Sequence, residues 1–222
     1  MSKPNSLHRS LALRALWLCM AAGLGAVALS GCAPMIVGGA VVATGLSVLD
    51  RRTTGTQLDD EGIETRAMSR LKEQLGDRAH VNVVSYNRQV LLTGEVLSEQ
   101  DRQLAERVIA GLPNVRSIIN ELAVLGPSTL TQQSSDVGVT MRVKTSMIDS
   151  RDLNAHVVKV VTERGVVYLM GRVTQREADR ATDIARRTTG VQKVVRLFEL
   201  ISEEERLTLD NPGRTRSAQP AY

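Results

Sequence analysis

Aromatic side chains are nearly missing from this 222-residue sequence: it holds one Trp, three Tyr and one Phe. With Trp17 inside the first thirty residues, only Tyr86, Tyr168, Phe198 and Tyr222 serve the rest. That is too few for the stacking platforms of single-strand nucleic-acid recognition, so no nucleic-acid partner is expected. Cysteine is scarcer still, with Cys19 and Cys32 alone, and no disulfide can staple whatever folds beyond residue 32. Of three histidines, His8 lies near the start, and His80 and His156 have neither Cys nor carboxylates at metal-ligand spacing. They read as surface or strand-end residues, and Ser and Asp form no nucleophile-elbow pattern. The glycine run 38–45 lacks the lysine and the strand-then-helix setting of a phosphate loop. Neither a catalytic centre, a metal site nor a bound cofactor is expected. A mass of 24.1 kDa bounds the chain to one ordinary domain or two small ones.

What is present begins with a leader. Lys3, Arg9 and Arg14, with no acid among them, precede an apolar run at 15–29 that is shorter than the ~20 residues a spanning helix needs. Leu29-Ser30-Gly31-Cys32 follows and resembles the bacterial lipobox. Residues 1–31 are therefore expected to be a signal peptide, with Cys32 carrying a covalent diacylglyceryl group and an N-acyl chain. Two or three chains anchor a protein permanently where one would not. Ala33, in place of an aspartate, points to the periplasmic face of the outer membrane. Removing the leader lowers the net charge from +4 to +1, so the basic balance is largely a property of the leader. Residues 32–58 read as the lipidated N-terminus and a flexible tether.

The rest repeats itself with a period of about 76 residues. Val90-Leu91-Leu92-Thr93-Gly94-Glu95-Val96 matches Val167-Tyr168-Leu169-Met170-Gly171-Arg172-Val173, both of the form V-x-L-x-G-x-V. Each is expected to be a strand with one buried face, its glycine marking a bulge or a close backbone approach. A helix precedes each, with Asp60 and Asp136 as N-caps. A short strand lies near 81–86 and 156–162, a second helix near 98–110 and 174–188, and a last strand begins at Val115 and Val191. The fold class is α+β: two tandem αββαβ domains, each a three-stranded mixed sheet packed against two helices. Their bounds are 59–125 and 135–201, joined by a linker at 126–134. Residues 202–222 follow as a short helix, with Ser202 and Glu205 set for a capping box, and a disordered tail.

The doubled αββαβ pattern with V-x-L-x-G-x-V, behind a lipobox and led by Arg52-Thr53-Thr54-Gly55-Thr56-Gln57-Leu58-Asp59-Asp60, resembles the dual-BON-domain outer-membrane lipoproteins of the DolP type. The resemblance runs from Cys32 to about Ile201. It implies a non-enzymatic periplasmic protein that supports cell-envelope integrity. Its second BON domain would contact anionic phospholipids such as phosphatidylglycerol or cardiolipin.

The two copies differ where a difference in task would show. Residues 59–125 carry a net charge of −3 and residues 135–201 a net charge of +4, which suits an anionic surface. On the opening helix the core face is Ile63, Ala67 and Leu71 in one copy and Val139, Val143 and Met147 in the other. The adjacent face is Glu61, Thr65, Met68 and Lys72 in the first but Val137, Met141, Lys144 and Ile148 in the second. Either a bilayer or the first copy covers it. On the bilayer reading Val137, Met141 and Ile148 enter the headgroup boundary while Arg142, Lys144 and Arg151 meet phosphates. Val139 is counted in the contact set as well. The chain departs from some relatives at the start of this helix, where Gly138 and Val139 stand in place of an aromatic anchor, which leaves Met141 as the anchor. The alternative function is a docking module for outer-membrane assembly or cell-wall remodelling proteins.

Overall fold

The computed structural model describes residues 50–126 and 129–211. The leader, Cys32 and the tail beyond Asn211 lie outside the described residues. Helix α1 (Thr54–Leu75), strands β1 (Ala79–Tyr86) and β2 (Gln89–Val96), helix α2 (Glu99–Ala110) and strands β3 (Ser117–Asn120) and β4 (Ala123–Val124) make the first repeat. Helix α3 (Leu130–Asp149), strands β5 (Lys159–Glu163) and β6 (Val166–Val173), helix α4 (Gln175–Arg187) and strand β7 (Lys193–Leu200) make the second. Helix α5 (Glu203–Asp210) closes the described chain. In each sheet the central strand pairs antiparallel with the strand before it and parallel with the one after it. In the first repeat the last strand is interrupted, so β3 and β4 both pair with β2.

The opening helices start seven residues earlier than Asp60 and Asp136 as N-caps suggest. Thr53 caps α1 by accepting from the Thr56 amide, and Thr129 caps α3 in a full capping box with Gln132. The stretches expected as tether and linker are thus helical from Thr54 and from Leu130. Asp60 and Asp136 sit inside the helices, buried, and pin the hairpin turns instead. Asp60 accepts from the amides of Asn87 and Arg88 at 2.8 and 2.7 Å and from the Ser85 hydroxyl at 2.6 Å. Asp136 accepts from the amides of Arg164 and Gly165 at 2.6 and 2.8 Å. These bonds hold Asn87, Arg88 and Arg164 at positive φ, the two-residue turn geometry that matches strand twist. The strand expected from residue 156 starts at Lys159, because Ala155–Val157 form a 3-10 turn.

One side of each sheet faces its two helices. Val90 and Leu92 meet Ile63, Ala67, Leu71, Ala105 and Ile109. Val167 and Leu169 likewise meet Val139, Val143, Met147, Ala181 and Ile184. The alternate residues point the other way and are buried as well, so each V-x-L-x-G-x-V strand has two buried faces rather than one. Tyr86 and Leu91 of the first repeat pack with Tyr168 and Met170 of the second, joined by Val84, Ile119, Val195 and Leu197. The repeats therefore dock sheet to sheet. Charged pairs rim this contact: Lys159 with Glu64 at 3.1 Å, Arg164 with Glu95 at 3.2 Å, Arg116 with Glu199 at 2.9 Å.

Candidate functional site

Docking through the sheets leaves the outer faces of the helices free. On α3, Leu130, Val137, Met141 and Ile148 are 80%, 65%, 59% and 65% exposed. Spacings of seven, four and seven residues place them in one row, with Lys144 between Met141 and Ile148. At 1.5 Å per residue the row runs about 27 Å. The first repeat does not cover it. On α1 the matching positions hold Thr54, Glu61, Thr65 and Lys72, and only Leu58 and Met68 are exposed apolar residues there.

The expected contact residues divide in the structure. Val137, Met141, Lys144, Ile148, Arg142 and Arg151 are all exposed. Val139 is 2% exposed and belongs to the core under β6, so it cannot reach a surface ligand. Leu130 was concealed by the reading of 126–134 as a linker. Its signals were the Thr129-x-x-Gln132 capping box and the i, i+7 spacing to Val137. The charge contrast also changes meaning, since Lys159 and Arg164 of the second repeat neutralise Glu64 and Glu95 of the first. Lys144, Arg151, Arg186 and Arg187 form no ion pair among the described residues and remain available to an anion.

Clefts flank the row. Near its start, Val137 and Met141 border a cleft of about 320 Å³ with His80, Asp136 and Glu163. Burial raises the Glu163 pKa above the ordinary glutamate range, and the charges of Glu95 and Asp136 add to this against the Asn82 hydrogen bond. Near its end, Lys144 and Ile148 border a second cleft with Asp50, Arg52, Tyr86 and Lys159. The chain therefore enters the fold beside the row.

That entry is fixed by two adjacent arginines. Arg51, 3% exposed, turns into the second repeat. It donates to both Glu177 oxygens at 2.8 Å, to both Asp210 oxygens at 2.8 and 3.1 Å, and to the Arg172 carbonyl at 2.9 Å. Arg52 turns into the first, donating to Asp60 at 2.7 Å and lying over the Tyr86 ring at 4.3 Å. Glu177 also completes the α4 capping box with Thr174. Ser202 caps α5 through the Glu205 amide, but the Glu205 carboxylate reaches Arg172 at 2.6 Å instead of closing a box. No helix among the described residues is long and apolar enough to cross a membrane, and no group of His, Cys, Asp and Glu among them is set to hold a metal ion.

The BON domain model matches residues 59–126 and 135–201, the two repeats. The chain belongs to the BON-domain family. Among curated relatives, the outer membrane lipoprotein DolP of Haemophilus influenzae is 38% identical over 175 residues, covering 78% of this chain and 90% of that protein. A 21 kDa hemolysin of Actinobacillus pleuropneumoniae is 35% identical over 155 residues, covering 69% and 80%. Osmotically-inducible protein Y of Escherichia coli is 28% identical over 144 residues, covering 63% and 72%. This BON-domain chain thus spans most of each relative, and the first of them is named as an outer membrane lipoprotein.

Proposed function

We propose that this protein is a lipoprotein of the outer membrane, acylated at Cys32 and held at the periplasmic face. There it supports the envelope by laying the α3 row of its second BON domain on anionic phospholipid. The observation that carries the reading is the row itself. Four exposed apolar residues lie in line on α3, with Lys144 among them, where all four positions of its duplicate are polar or charged. A helix lying in the headgroup boundary needs such a strip with basic residues beside it. The relative named as an outer membrane lipoprotein supports the location.

The anchor favours the same surface. Cys32 lies 18 residues before Asp50, and Asp50 borders the cleft that Lys144 and Ile148 line. A chain extends at most about 3.3–3.6 Å per residue, so this face stays within about 60 Å of the acylated cysteine. Membrane binding then becomes intramolecular, and a weak contact suffices.

The chain from Ala33, which keeps every described element, is expected to float with vesicles containing phosphatidylglycerol at low salt and to remain behind with phosphatidylcholine alone. A Met141→Glu, Lys144→Glu double variant should lose at least tenfold in partitioning while keeping its fold. Equal flotation with both vesicles, or none by either protein, would contradict the reading and leave the row as a surface for a protein partner.

A further inference from the structure

Beside the α3 row, away from the cleft that holds Glu163, the second repeat carries a groove of about 630 Å³ between α3 and α4. Met141 stands at its edge and Ile184 lines it, so it is continuous with the apolar row. Three guanidinium groups border it, those of Arg142, Arg180 and Arg187, together with hydroxyls including Thr145 and Ser146. Arg142 is steadied by its Nε, which donates to the Thr189 carbonyl at 3.1 Å. Arg180 is steadied by Asp152 at 3.0 Å. Arg187 has no ion pair among the described residues.

Planar guanidinium forks with hydroxyls alongside are the donor set that fits phosphate oxygens. The duplicate offers an internal comparison. At the repeat offset, Arg180 corresponds to Leu104 and Arg187 to Gly111, so the first repeat lacks two of the three arginines. The first repeat has its own groove between α1 and α2, but Arg70 and Arg107 share it with Glu73, and no apolar row runs beside it; only the second copy pairs the row with a groove bordered by three arginines and no carboxylate. Around Met141 the two sides of the row differ in sign, with Asp136 and Glu163 on one side and three arginines toward α4 on the other.

We propose that this groove is a headgroup pocket: it takes the phosphodiester of an anionic phospholipid while Met141 and Ile148 enter the acyl boundary beside it. The proposal rests on the membrane reading above and adds a defined seat for the anion. Arg187 is its positioning cation, because it lines the groove without a partner, whereas the neighbouring Arg186 does not line it.

The test compares Arg187→Gln with Arg186→Gln in the chain from Ala33, two variants with the same loss of charge one residue apart on α4. Arg187→Gln is expected to weaken partitioning onto phosphatidylglycerol vesicles about fivefold, and Arg186→Gln less than twofold. In the absence of lipid, deacylated glycerophosphoglycerol should shift the amide resonances of Thr145, Ser146 and Thr188, and inorganic phosphate at matched ionic strength should not. Equal losses in the two variants would overturn the pocket and leave the membrane reading standing, with charge acting diffusely. A larger response to inorganic phosphate would overturn the lipid source. Wild-type protein that does not distinguish phosphatidylglycerol from phosphatidylcholine would overturn both.

Discussion

Replacing Gly94 with alanine is expected to lower the unfolding free energy by about 2–5 kcal/mol, measured by urea denaturation of the chain from Ala33. Gly94 has φ of +107°, a backbone conformation that strains any residue with a Cβ, and an added Cβ would collide with the backbone carbonyl of His80 on the paired strand β1. The obstacle is main chain, so no rotamer change relieves it. The collision would also push β1 off β2 next to Glu95, whose pair with Arg164 rims the contact between repeats. Gly171 of the second copy meets the Val157 carbonyl in the same way. Gly62, in the middle of α1, supplies the contrast. A Cβ there would touch only the mobile end of Arg66, so Gly62→Ala should stabilise by about 0.5–1 kcal/mol. A neutral Gly94→Ala would contradict the close approach.

Arg51→Met is expected to cost about 3–5 kcal/mol, because it leaves a buried Glu177 without a cation and the partly buried Asp210 with Arg206 alone. The pH dependence identifies the cause. Burial pushes both carboxyls up, but the Arg51 hydrogen bonds and charge, with help from the Thr174 backbone for Glu177 and Arg206 for Asp210, hold both below their ordinary values. A carboxyl lowered in the folded state contributes stability that is whole above its unfolded pKa and is lost as pH falls through its folded one. The wild-type protein should therefore lose stability below about pH 4, and the gap between it and Arg51→Met should narrow over that range. Denaturation midpoints between pH 7 and pH 3 report this directly. A gap that stays constant would mean that Arg51 acts by packing alone.

The repeat was legible because strand periodicity and its glycine survive duplication. V-x-L-x-G-x-V located β2 and β6, and the spacing between the two copies aligned their helices. The second buried face was also written in the strands, since Val90-Leu91-Leu92 and Val167-Tyr168-Leu169-Met170 are continuous apolar runs, the mark of burial on both sides. Helix starts were misplaced for a local reason. Asp is as good an N-cap as Thr, and only the hairpin turn, distant in sequence, shows that Asp60 and Asp136 are engaged elsewhere. Moving α3 back to Leu130 lengthened the exposed row by two turns. Arg51 carried no signal at all, because its partners lie 126 and 159 residues away. Val139 does not belong with the contact residues, and its i, i+4, i+8 spacing with Val143 and Met147 already places it in the core.

On the proposed function, the opening helix of the second repeat meets lipid and that of the first does not. The chain from Ala33 contains no cysteine, so one introduced thiol carries one label. An environment-sensitive fluorophore on Met141→Cys, and on its counterpart Thr65→Cys, would be read before and after addition of phosphatidylglycerol vesicles containing bromine-labelled acyl chains. A blue shift and bromine quenching are expected at residue 141 and neither at residue 65. Quenching at both positions, or at residue 65 alone, would contradict it.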